Sequence, residues 1–142
     1  MKKSFPATLD TLYSMLEFIS EQVLTFGFDL SFLPKFELAA EEALVNIILY
    51  ANMGPEGKIE IECVSADQGS IKIVIRDSGI PYNPIAHVKK VDLDTPIDER
   101  EPGGFGIFLM IELMDQVSYA RVGDHNVLTL VKHLPVCERA KA

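Results

Sequence analysis

The chain has 142 residues, 48% hydrophobic and 24% charged, enough for one domain with a buried core and too little for two. Its 13 Lys and Arg against 21 Asp and Glu leave a net charge of −8, a surface that repels nucleic-acid backbones and anionic lipid headgroups alike. A polyanionic ligand would therefore need a site built from backbone amides and a metal ion, not from a basic patch.

An extended segment at Lys2 to Phe5 leads into a first helix predicted over Thr8 to Phe26, where Leu9, Leu12, Leu16, Ile19 and Val23 recur at helical spacing until Gly27. A second helix opens at Pro34 and runs to about Asn52, closed by Met53-Gly54-Pro55. From Gly57 the period becomes two. Ile59, Ile61 and Cys63 alternate with Glu60 and Glu62, then Ile71, Ile73 and Ile75 alternate with Lys72, Val74 and Arg76, which reads as a β-hairpin with one apolar face. Ser78 to Pro102 holds four prolines, many charges and no sustained period, a loop long enough to be functional. A third helix fits Phe105 to Met114, and strands at Gln116 to Arg121 and Val127 to His133 flank the turn Gly123-Asp124-His125-Asn126.

The order β-α-α-β-β-loop-α-β-β predicts an α+β fold: a two-layer sandwich whose mostly antiparallel mixed sheet is covered on one face by helices. A single domain over residues 1–142 is expected, with a lid loop at about 78–103 and a frayed tail at 135–142. Cys63 and Cys137 stand far apart with no second ligand at metal spacing, as idle thiols in a reducing compartment would. The longest apolar runs, Ile47 to Ala51 and Ile107 to Ile111, fall far short of the roughly 20 residues of a membrane span, so a cytoplasmic protein without a membrane partner is expected.

Three patterns carry chemistry. Projecting the second helix at about 100° per residue puts Phe36, Ala39, Ala40, Ala43, Ile47, Tyr50 and Ala51 on one apolar face, and Glu37 and Glu41 on a solvated flank. Glu42 and Asn46 stack four residues apart on the other flank, with Leu38, Val45 and Leu49 beyond them. The pair reads either as a partly exposed helix edge among scattered surface leucines, or as a carboxylate base beside an amide oxygen for a hard cation. Asp77-Ser78-Gly79 at a strand end is ordinary turn chemistry, or a carboxylate acceptor for a ligand amine with Gly79 admitting the ligand to the backbone. Gly103-Gly104-Phe105-Gly106 opens a helix, where Gly106 costs about 1 kcal/mol relative to Ala and the unobstructed N–H groups suit an anion. Thr129, in the last strand, says nothing by itself.

Taken together, Glu42-x-x-x-Asn46, Asp77-x-Gly79, Gly104-x-Gly106 and Thr129 resemble, in order and spacing, the N box, the two glycine boxes and the terminal Thr of the Bergerat-fold ATPases. That superfamily includes DNA gyrase, histidine kinases and MutL. The wording Asp77-Ser78-Gly79-Ile80-Pro81-Tyr82-Asn83-Pro84 and Gly103-Gly104-Phe105-Gly106-Ile107-Phe108-Leu109-Met110 is most similar to the anti-sigma-factor serine/threonine kinases of bacterial partner switching. The resemblance implies ATP and Mg²⁺ as cofactors, Asn46 as the Mg²⁺ ligand and Glu42 as general base. It implies Asp77 as acceptor of the adenine N6 amine with Gly79 close to the ring, and Thr129 holding the base through a water. Gly103, Gly104, Phe105 and Gly106 would wrap the phosphates, and Arg100 would be the cation near the γ-phosphate. Two departures stand out: Pro81 replaces a second glycine of the first glycine box, and Tyr50 stands where relatives often carry His.

No His precedes residue 87, so a phosphoacceptor His on a dimerisation helix is lacking, and the additional domains of gyrase relatives are absent from this sequence. The resemblance therefore implies an ATP-dependent serine/threonine protein kinase whose substrate is an anti-anti-sigma-like regulator, with a sigma factor as a further partner, a homodimer as a common state, and no nucleic acid. The competing readings are a nucleotide-gated module that sequesters a sigma factor or other target without phosphoryl transfer, and an α+β domain that binds no nucleotide.

Overall fold

A computed structural model of the chain describes residues 1–51, 54–66, 69–87 and 105–133. The elements are β1 (Lys2–Pro6), α1 (Leu12–Thr25), α2 (Leu33–Tyr50), β2 (Lys58–Ala66), β3 (Ser70–Asp77), α3 (Phe105–Leu113), β4 (Gln116–Val122) and β5 (His125–His133). Short 3-10 turns at Leu9–Thr11 and Leu30–Phe32 lead into α1 and α2, and a third spans Pro84–His87. The first helix thus starts later than its periodicity suggests. Thr8 and Thr11 hydrogen-bond each other through their hydroxyls at 2.7 Å, neither caps a backbone N–H, and the chain enters the helix through a tighter turn. The helix ends where Gly27 takes φ of 96°, a conformation that glycine adopts without a side-chain penalty.

Five strands form one sheet in the order β1-β2-β3-β5-β4, and all four pairings are antiparallel. The parallel pairing implied by a mixed sheet does not occur among the described residues; α3 carries the chain to the edge strand β4, and β5 returns between β4 and β3. Ile59, Ile61, Cys63, Ile71, Ile73, Ile75, Leu128 and Leu130 point from the sheet into the helical layer and are buried. Each fully buried aliphatic side chain of this kind contributes about 1.5–3 kcal/mol. Ala39, Ala40 and Ala43, all fully buried, let α2 lie close to the sheet. The opposite sheet face is open and polar at its β1 side, where Arg76 bridges Glu60 and Glu62 at 3.1 Å each across neighbouring strands.

Two expectations for α2 need correction. Tyr50 is not on the buried face; it is 51% exposed and stacks on Tyr82 instead of entering the core. Leu44, outside the projected stripe, is fully buried, since α2 is packed by α1 and α3 as well as by the sheet. Leu38 and Leu49 are surface leucines. Cys63 is a buried free thiol whose pKa burial pushes up to about 12, which disfavours the reactive thiolate; Cys137 and the predicted tail lie outside the described residues. No helix among the described residues is long and apolar enough to cross a membrane.

Candidate functional site

The antiparallel register of β3 and β5 sets Asp77 opposite Asn126 at one end of the sheet, on the face that the helices cover. Both are buried, Asp77 at 2% and Asn126 at 4% exposure. The Asp77 Oδ1 accepts the Gly79 N–H at 2.9 Å and the Asn126 Nδ2 at 2.9 Å, and neither bond uses Oδ2. Asn126 Nδ2 donates also to the Ile80 carbonyl at 2.7 Å. Its Oδ1 accepts the Tyr82 N–H at 3.2 Å, the Tyr119 hydroxyl at 2.5 Å and an Arg121 N–H at 3.3 Å. Arg121 reaches on to the Gly79 carbonyl at 2.8 Å. The turn after β3 is therefore held from both sides around one carboxylate.

That turn packs on the end of α2. Ile80 donates its N–H to the Ala51 carbonyl at 2.9 Å, and a Cβ added at Gly79 would strike the Ala51 carbonyl oxygen and come within 2.6 Å of the Ala51 Cβ. The obstacle is helix backbone and cannot rotate away. Gly79→Ala is accordingly expected to lower the unfolding free energy by about 1–3 kcal/mol, measured by denaturant titration, because overpacking here must move α2 or the turn.

At the other end of the site α3 begins against Glu42. A Cβ added at Gly106 would run into the Glu42 Oε2 and lie 2.6 Å from its Cδ, so the bare backbone of the first turn of α3 forms one wall of the carboxylate. Burial, and then the neighbouring Glu41, raise the Glu42 pKa above the usual carboxylate value. One turn further along α2 the Asn46 Oδ1 is buried with no hydrogen-bond partner. An orphaned carbonyl oxygen of this kind carries a penalty of about 1–3 kcal/mol unless a ligand satisfies it. It is also the donor type that a hard cation takes, so Asn46 fits a ligand of a Mg²⁺ ion. Among the described residues no group of three or more His, Cys, Asp or Glu could hold a metal by itself.

Glu42, Asn46 and Tyr50 follow one another at intervals of four on one face of α2. Tyr50 stacks on Tyr82 with ring centroids 5.5 Å apart and planes 21° apart, tying the helix to the turn after Gly79. From Glu42 to Ala51 the helix advances about 13.5 Å. The Asp77 turn, the lone amide oxygen and the carboxylate are thus strung along one helix, the layout an extended nucleotide would need. A separate hollow of about 320 Å³ opens on the sheet, lined by Arg76, His125 and Val127 among others; it touches Asp77 but none of Glu42, Asn46, Gly79 or Gly106. The volume alone would mislead, since the groups with unmet chemistry lie elsewhere.

Of the residues expected from sequence, Glu42, Asn46, Asp77, Gly79 and Gly106 fall along this line, and Phe105 opens α3. Arg100, Gly103 and Gly104, and most of the expected lid, lie outside the described residues. Thr129 pairs with Val74, between the buried Leu128 and Leu130, and so projects from the face opposite Asp77. The residue beside the carboxylate is Asn126, which the sequence reading did not single out. Its signal in the sequence is only that of a turn residue.

A helix with an acid and an amide on one stripe, an Asp-x-Gly turn buried at the sheet end, and a glycine-opened helix closing on the acid define a nucleotide-binding α+β domain. The histidine kinase-like ATPase domain matches residues 5–132, and the chain belongs to that family. It is 33% identical over 97 residues to the serine/threonine-protein kinase BtrW of Bordetella bronchiseptica, an alignment spanning 68% of this chain and 67% of that one. It is 30% identical over 86 residues to an anti-sigma F factor of Halalkalibacterium halodurans, spanning 60% of this chain and 58% of that one. The fold matches the solved RsbU and RsbW domains of Rv1364c from Mycobacterium tuberculosis with a TM-score of 0.64 at 14% identity, over 94% of this chain and 32% of that one.

Proposed function

We propose that the chain is an ATP-dependent serine/threonine protein kinase of the anti-sigma type, phosphorylating a small anti-anti-sigma-like regulator and holding a sigma factor as its alternative partner. The observation that carries this reading is the Glu42 carboxylate, backed by Gly106 and lying one helical turn from the unpaired Asn46 oxygen. Relatives named as serine/threonine-protein kinase and as anti-sigma factor support the substrate class and the partners.

In this reading Asp77 accepts the adenine amine, while the turn held by Gly79, Asn126 and Tyr82 forms the base end of the site. Asn46 would hold Mg²⁺ together with the phosphates, and the ion supplies neutralisation of phosphate charge. Glu42 takes the proton of the serine or threonine hydroxyl as its oxygen attacks the γ-phosphorus, and ADP leaves. The net charge of −8 is no obstacle, since the positive charge arrives with the nucleotide.

Glu42→Ala is expected to abolish transfer from labelled ATP to the regulator, a loss of about 100-fold or more, while ADP affinity stays within about threefold by calorimetry. Unchanged transfer would remove Glu42 from the mechanism. The pH dependence follows from the raised pKa. A base acts deprotonated, so the transfer rate falls on acidification at a higher pH than the reference 4.5 of a free Glu would dictate. For stability the sign is opposite: the fold prefers protonated Glu42, a contribution complete below the unfolded pKa and lost as pH rises through the folded one. At neutral pH the Ala variant should be no less stable than the native chain.

A further inference from the structure

Asn126 saturates its own hydrogen-bonding capacity. Both Nδ2 hydrogens go to acceptors, Asp77 Oδ1 and the Ile80 carbonyl, and three donors, from Tyr82, Tyr119 and Arg121, converge on its oxygen. The amide can sit only one way round: reversing it would turn NH₂ toward three donors and oxygen toward two acceptors. It is 4% exposed, and it couples three segments: the end of β3, the turn at Ile80 and Tyr82, and the edge strand β4. Asp77, by contrast, has one oxygen committed by two bonds and the other used by neither.

Resting on the kinase reading above, we propose that Asn126 is a positioning residue that sets base selectivity. By fixing Oδ1 of Asp77 it fixes where Oδ2 presents its lone pairs. An ionised carboxylate accepts and never donates, so a held Oδ2 welcomes a purine bearing an amino group at that point and repels one bearing a keto oxygen. A carboxylate free to turn would discriminate less, because it could retreat from the keto group and be hydrated. Tyr119 and Arg121 serve the same end from β4 by holding the Asn126 oxygen, and Arg121 also grips the carbonyl of Gly79.

The test compares ADP with inosine diphosphate, whose base carries a keto oxygen in place of the amine and a hydrogen on the adjacent N1, by calorimetry with Mg²⁺ present. The native chain is expected to prefer ADP by about 100-fold. In Asn126→Leu, similar in branching and unable to hydrogen-bond, ADP affinity should fall about tenfold or more while inosine diphosphate changes by less than about threefold, so that the preference narrows. If both nucleotides weaken equally, Asn126 is merely structural and the proposal is overturned. Should the leucine variant fail to fold, the same pair of titrations on Asn126→Ser, too short to span Asp77 and Ile80 together, separates the same two outcomes. If the native chain binds neither nucleotide while circular dichroism shows it folded, the kinase reading itself fails and this inference with it. Retained native binding with an unchanged preference in both variants overturns the inference alone.

Discussion

Asp77→Asn should remove adenine-nucleotide binding, with a loss of affinity of about 100-fold or more by calorimetry. The carboxylate is 2% exposed and its Oδ1 already accepts two N–H donors at 2.9 Å each. An amide in its place must put NH₂ at one of the two oxygen positions. At Oδ1 it would face the donors of Gly79 and Asn126; at Oδ2 it would face the adenine amine. The second arrangement keeps the internal bonds, so the chain adopts it, folds with little loss of helical circular dichroism, and presents a donor to a donor. Nucleotide loss without unfolding is the expected signature. Undiminished ADP affinity in a folded Asp77→Asn chain would mean that the base binds elsewhere.

On the kinase reading proposed above, Gly106→Ala should leave the fold intact and stop phosphoryl transfer. In most helices the exchange stabilises by about 1 kcal/mol, because glycine is the costlier residue in a helix. Here the added methyl meets the Glu42 carboxylate, with Cδ at 2.6 Å and Cγ at 3.3 Å. What it meets is the far end of a flexible side chain, which swings aside at little cost to stability. The contrast with Gly79, where the obstacle is the backbone of Ala51, is direct: one glycine protects the fold, the other protects a carboxylate's position. A base displaced by an ångström or more loses its reach to the attacking hydroxyl, and a transfer rate lower by about 100-fold or more is expected with an unchanged unfolding midpoint. Normal transfer by this variant would mean that Glu42 need not stand where it does.

The sequence carries some of this and hides the rest for definable reasons. The stripe of Glu42 and Asn46 is local: two polar residues at helical spacing between leucines are visible without any partner. Asp77-x-Gly79 is local as well, though its burial is not. The place of Asn126 beside Asp77 is different in kind. β5 begins at His125, two residues earlier than its apolar alternation suggests, so Asn126 belongs to the strand and not to the turn. Facing is then settled by strand parity: Asn126 lies opposite Asp77, and Thr129, three residues on, points to the other side. No single strand shows its own register. Tyr50 escapes the helical projection in the same way, because its stacking partner Tyr82 is set by the turn and not by the helix. Gly106 announces only that it needs a reason; the reason, a carboxylate from another helix, is a tertiary contact.

Phosphoryl transfer at Glu42 is the step on which the proposed function depends. The direct measurement is to incubate the purified chain, Mg²⁺ and γ-labelled ATP with the small regulator that co-purifies with it from its native host. Label should appear on a serine or threonine of the regulator, with none when Glu42→Ala replaces the native chain and little when Mg²⁺ is chelated. A chain that binds ATP and retains its partner yet never labels it would contradict kinase activity and identify a nucleotide-gated sequestering protein instead.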